Sequence, residues 1–132
     1  FYVGGTMPTP WKKLQVGYAW EDRGTKTVET IPSTYANAGS IYLLFQATDK
    51  LKFASRTEYA SGSPLTWYAN GGGGANGRNE VLAETFTVDY SLWANVISRV
   101  EFRWDHDLTN QRPFGLADND AYSLALNLIY KF

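Results

Sequence analysis

The chain's single histidine, His106, stands between two aspartates in "WDHDL", and "ADND" follows at 117–120. A group of Asp oxygens could hold a divalent cation. A Ser-His-Asp triad would have to use this one His, in a connecting segment, and no paired carboxylates or His cluster stand out. Asp105 and Asp107 are the one place where a metal could be held. The plainer assignment is a solvated loop of turn-forming Asp and Asn, so no metal is expected. "GGGGANG", 71–77, contains Gly72-x-Gly74-x-x-Gly77. That spacing binds dinucleotides only between a strand and a helix. Here a strand follows within a few residues, which makes the segment a flexible loop. Neither an enzymatic activity nor a cofactor is expected.

The remaining chemistry is charge. Lys13, Lys52, Arg56, Arg99, Arg103 and Lys131 recur in phase with Glu21, Glu58, Glu101 and Asp105 along extended segments. Charges lining a pore bias which ions pass. The same residues could instead form a cross-strand salt-bridge ladder that stiffens a wall, and one set can do both. The excess of cations over acids in this set points to a mild anion preference.

Composition narrows what could position these charges. The 132 residues include no Cys, carry a formal charge of -1, and are 16% aromatic but only 19% charged. A disulfide frame is excluded, and nucleic-acid binding has no electrostatic basis. No run approaches the roughly 20 apolar residues of a spanning helix. The start, "FYVGGTMPTP", has no basic region followed by an apolar one. With no initiator Met, the expectation is a processed form or a piece of a longer chain.

Period-2 alternation is nearly everywhere. Six strands are read at 11–22, 39–48, 51–61, 79–90, 93–105 and in the closing stretch 121–132, and residues 1–5 look like the tail of an earlier strand. The second strand's facing is ambiguous, because Tyr42 and Leu44 sit between Ile41, Leu43 and Phe45. Connections alternate. "RGTKTVETIPSTYANA", "GSPLTWYANGGGGANGR" and "HDLTNQRPFGLADN" are long, whereas Asp49-Lys50 and Ser91-Leu92 are short. An antiparallel meander with this alternation places all long loops at one end, as outer-membrane barrels do.

Two environments fit alternation. A soluble barrel, for instance a lipocalin-like ligand binder, turns its apolar face inward. A transmembrane barrel turns it to lipid and its charges to a lumen. Aromatics favour the membrane. Trp11, Tyr90, Trp93, Tyr130 and Phe132 fall at one end of the strands, and Trp20, Tyr59, Trp104 and Tyr122 at the other. Strands of about ten residues separate these two girdles by about a bilayer's thickness. Glu84 is the exception, since its parity matches Leu82, Phe86 and Val88 and would aim a carboxylate at lipid. Either the strand bulges there, or Glu84 lies at the interface, or a plug or neighbouring subunit covers it.

The last strand ends in Phe132, with Tyr130 two before it and Leu128, Leu126 and Leu124 behind. This pattern resembles the C-terminal signal of bacterial outer-membrane proteins, which implies recognition by the outer-membrane assembly machinery. "DYSLWANVISRVEFRWDHDL", 89–108, followed by "DAYSLALNLIYKF" is similar to the C-terminal end of the OmpL-like β-barrel porins, mainly over 79–132 and more loosely over 39–62. The fold expected is an all-β, antiparallel, up-and-down transmembrane β-barrel. Residues 1–132 form a single segment supplying its C-terminal strands, since the smallest such barrels need about eight. The function implied is passive diffusion of small hydrophilic solutes or ions through an outer-membrane porin of a Gram-negative bacterium, its C-terminus periplasmic. The alternative is a structural or conduit barrel enclosing or anchoring a partner protein. Lipid, lipopolysaccharide and further copies of the chain complete the expected partners.

Overall fold

A computed structural model describes residues 1–25, 34–68, 77–115 and 118–132. They form seven strands: β1 (Tyr2–Pro8), β2 (Leu14–Thr25), β3 (Thr34–Gln46), β4 (Leu51–Gly62), β5 (Asn79–Trp93), β6 (Val96–Asp107) and β7 (Asp120–Tyr130). They make one antiparallel sheet in the order β1-β2-β3-β4-β5-β6-β7, each strand hydrogen-bonded to its sequence neighbours. β1 and β7 are its two edges. The β2–β3, β4–β5 and β6–β7 connections are the long ones, and up-and-down order puts all three at one end.

The alternation in sequence becomes two chemically opposite faces, because residues paired across an antiparallel ladder share a face. One continuous row runs Leu14, Phe45, Phe53, Val88, Val100, Leu126. The next runs Val16, Leu43, Ser55, Phe86, Phe102, Leu124. The opposite face carries Lys52, Asp89, Arg99 and Asn127 in one row and Arg56, Thr85, Arg103 and Ser123 in another. The ambiguity in β3 is resolved by register: Ile41, Leu43 and Phe45 join the apolar face, and Tyr42 and Leu44 the polar one.

The apolar face is uncovered. Leu126 is 75% exposed and Phe102 39%, whereas the only buried hydrophobic residues described are Ala60 and Ala83. Each large side chain left in water forgoes about 1.5–3 kcal/mol, so a sheet built this way is suited to a non-aqueous surrounding. Trp20 belongs to this face. Its indole lies across Gly39 on β3, where a Cβ would come within 2.8 Å of the ring.

Several boundaries differ from the sequence expectation, four of them instructively. The opening stretch pairs with β2 from Tyr2 to Pro8, further than residues 1–5, and makes the seventh strand of the sheet. β2 begins at Leu14, not at residue 11, because Trp11–Lys13 belong to a turn closed by the Thr9 hydroxyl, which donates to the Leu14 carbonyl and accepts from the Trp11 amide. β3 begins at Thr34, not 39, because Ala36, Asn37, Ala38 and Gly39 pair fully with β2 yet carry no alternation to reveal it. β5 runs on to Trp93 through a register shift between Ser91 and Trp93, which moves the turn to Ala94-Asn95. The bulge restores Trp93 to the apolar side, opposite Val96.

Candidate functional site

The polar face is graded along the strands. At the short-turn end Lys52, Asp89 and Arg99 lie in one row, and Lys50, Asp49 and Lys131 border the same hollow of about 470 Å³. The next row is Ala54, Thr87, Glu101 and Ala125, then Arg56, Thr85, Arg103 and Ser123, then Glu58, Ala83, Asp105 and Ala121. Glu21, paired with Ala38, and Asp107, paired with Val81, complete the long-connection end. Cations therefore gather at one end and acids at the other. Alanines flank most of the charged residues, which leaves long side chains room to reach along the wall.

Most of the charges are tied. Arg99 forks onto Asp89, Nε to Oδ1 at 2.7 Å and Nη2 to Oδ2 at 2.8 Å. Arg103 holds Asp105 at 2.6 Å and stands 3.8 Å from Glu58, which also accepts from the Ser40 hydroxyl. Glu101 accepts from Thr87. Fork geometry fixes side-chain direction as well as charge: Arg99–Asp89 ties β6 to β5, whereas the Arg103–Asp105 fork stays within β6.

At the long-connection end the polar face is partly roofed. Trp67, Tyr68 and Phe114 border, with Glu21, Glu58 and Arg103, a cavity of about 460 Å³. Two buried side chains hold this roof. Asn79 Oδ1 accepts from the amides of Thr66 and Trp67. Asp107 accepts from the Tyr68 hydroxyl, from Thr109 through both amide and hydroxyl, and from the amides of Gln111 and Arg112. Leu65, Asn110 and Arg112 adopt positive φ in these segments, a conformation costly for bulky residues and held by such bonds. Burial and the Asp107 carboxylate push the Tyr68 phenol above its ordinary value. Sequence reasoning missed Asn79 and Tyr68, whose partners lie in distant segments, and the clamp on Asp107, whose local donors depend on how the backbone turns after β6.

Lys52, Arg56, Glu58, Arg99, Glu101, Arg103 and Asp105 lie on one face, with Glu21 and Lys131 at its two ends. Lys13 departs from expectation. It sits in the β1–β2 turn, and its ammonium donates to the Ala47 carbonyl in the β3–β4 turn, so it belongs to the rim. The proposed metal pair is not assembled either. Asp105 is occupied by Arg103, and Asp107 is filled by protein donors. His106 lies on the opposite face, where its Nδ1 and the Trp104 indole N–H both meet Asp120 Oδ1. Among the described residues no three His, Cys, Asp or Glu side chains group as metal ligands. Residues 71–76 of the Gly-rich loop and Ala117 of "ADND" lie outside the described residues.

The apolar face carries both aromatic levels. Trp20, Tyr59, Trp104 and Tyr122 fall toward the long connections, and Tyr90, Trp93 and Tyr130 toward the short turns. Trp11 reaches the same level from its turn by packing on Phe45, with ring centres 5.2 Å apart. Tyr122 and Tyr130 are eight residues apart on β7, about 26 Å along the strand and less when tilted. Glu84 lies level with Trp104, in unbroken register, and accepts from the hydroxyls of Ser55 and Thr57. No bulge occurs there, and the carboxylate sits at the aromatic level. Leu124, Leu126, Leu128, Tyr130 and Phe132 are all exposed.

No curated protein and no solved structure matches the chain. A family model described as "Putative beta-barrel porin-2, OmpL-like" matches residues 7–132. The match takes in β2 to β7 whole, with their apolar face and charged opposite face, and by it the chain belongs to the OmpL-like β-barrel porin family of the outer membrane.

Proposed function

We propose that this chain forms wall of a water-filled pore through which small hydrophilic solutes or ions diffuse passively, with no covalent step. The observation that carries this is the inversion of the sheet: large apolar residues exposed on one face, tied charges on the other, and, among the described residues, only alanines buried as hydrophobic core. The apolar face meets acyl chains, and the aromatic levels meet the headgroups, including lipopolysaccharide. β1 and β7 are each paired on one side only, and further strands beside them, from the same polypeptide or other copies, close the barrel. The short turns and Phe132 face the periplasm. β7, with its exposed Leu124, Leu126, Leu128 and Tyr130, is the strand that the assembly machinery engages.

Conductance across a planar bilayer tests the pore. Large ohmic steps are expected. A conduit barrel enclosing a partner protein, favoured by the roof of Trp67, Tyr68 and Phe114, gives none. A soluble ligand binder stays monodisperse without detergent, which would overturn the membrane assignment.

A further inference from the structure

The middle of the polar face holds a pair of donors that the ladder does not use. Arg99 and Arg103 on β6 each fork onto an aspartate. Arg56 on β4 has no ion pair among the described residues, and its Nε is shielded from solvent with no hydrogen-bond partner. Directly across the ladder, the Thr85 hydroxyl is in the same condition, with the residue only 6% exposed. A buried donor left unsatisfied costs about 1–3 kcal/mol, and two side by side call for a common acceptor. They border a niche of about 190 Å³ with Tyr42, Ala54, Thr87 and Glu101. Tyr42 is opposite Arg56 on its other side, and the small Ala54 opens the niche along the strand.

We propose that Arg56 and Thr85 bind a small monocarboxylate in this niche. A planar carboxylate matches the guanidinium fork, and a side-chain rotation of Arg56 and Thr85, whose Nε and hydroxyl are shielded as they stand, turns both donors toward it. The neighbouring charges set the selectivity. Arg103 is spent on Asp105 and Glu58, so Arg56 is the guanidinium left to face the ligand. Glu101 borders the niche one row away, and its charge opposes a dianion more than a monoanion. The cationic row of Lys52 and Arg99 lies two rows toward the short-turn end, where it raises the local concentration of anions. Arg56 is then the specificity-determining residue for anions crossing the pore. That consequence rests on the pore proposed above, whereas binding in the niche does not.

The test has two arms. The ¹⁵Nε resonance of Arg56 is followed in the full chain in detergent micelles during titration with acetate. A saturable shift is expected, weakened about tenfold or more by Arg56→Gln and several-fold by Thr85→Val, because each removes a hydrogen bond to a charged group. Glu101→Gln tightens binding, and phosphate at a pH where it is a dianion binds more weakly than acetate. A shift linear in acetate, or phosphate binding tighter than acetate, overturns the proposal even if the Arg56 variant does not fold. In bilayers, Arg56→Gln lowers the acetate-to-potassium permeability ratio several-fold, whereas Lys12→Gln, on a turn, does not. Equal ratios in the two variants overturn the role in permeation. Saturable binding in a chain that conducts nothing defeats the pore and leaves the niche standing.

Discussion

Phe102 and Tyr122 stack across the β6–β7 pair, ring centres 6.2 Å apart and planes 26° from parallel, on a face open to the surroundings. In a soluble sheet such a pair would lie under a second layer. Here it continues into Leu124 and Leu126 along β7 and Val100 along β6, a band bounded by tyrosines and tryptophans. What surrounds that band decides how each substitution on it behaves.

Leu126→Arg places a charge in the centre of the apolar face. In vesicles it is expected to lower unfolding stability by about 2–4 kcal/mol, the cost of a cation near the bilayer midplane. Ser123→Arg, on the opposite face, should change it by well under 1 kcal/mol. Urea titration followed by tryptophan fluorescence reads both. Equal effects would mean that lipid does not cover the Leu126 face.

Glu84 tests depth. Its carboxylate is level with Trp104 and held by Ser55 and Thr57. Near the interface a carboxylate on the lipid face costs about 0–1 kcal/mol. Glu84→Gln should therefore leave stability in vesicles almost unchanged. A loss above about 2 kcal/mol would place Glu84 in a protein contact instead, since breaking a buried charged pairing costs that much or more.

The Asp89–Arg99 fork should couple weakly. Both side chains retain solvent contact, and screening keeps such pairs to about 1 kcal/mol even with fork geometry. A double-mutant cycle of Asp89→Asn and Arg99→Gln is expected to return a coupling of that size, falling as salt is raised. A coupling that ignores salt would mean the pair is sealed from water.

The roof at the long-connection end should loosen in base. The fold favours the neutral Tyr68 phenol, whose pKa is raised by burial and by Asp107. Its contribution is full below the ordinary phenol value of about 10 and is lost as pH rises through the higher folded value. Limited proteolysis of the 108–112 segment should accelerate across that range in the wild type. Tyr68→Phe should remove the acceleration, and Asp107→Asn should expose the segment at neutral pH. Cleavage that accelerates equally in Tyr68→Phe would detach the effect from this phenol.

Alternation in β2, β4, β5, β6 and β7 settled from sequence alone which residues share a face, because a strand's side-chain period is two and leaves no freedom once Phe102 or Arg103 is placed. The aromatic levels followed from the same parity. Only the tertiary structure decided the rest. Asn37, Ala38 and Gly39 show no contrast between neighbours, so register with β2 alone makes them strand and assigns Tyr42 to the polar face. The level of Glu84, the displacement of Lys13 to the rim and the clamp on Asp107 depend on distances between strands and turns. The unspent donors of Arg56 and Thr85 depend on which acid each arginine reaches, and linear spacing does not encode that choice, since Glu58 lies two residues from Arg56 yet stands beside Arg103.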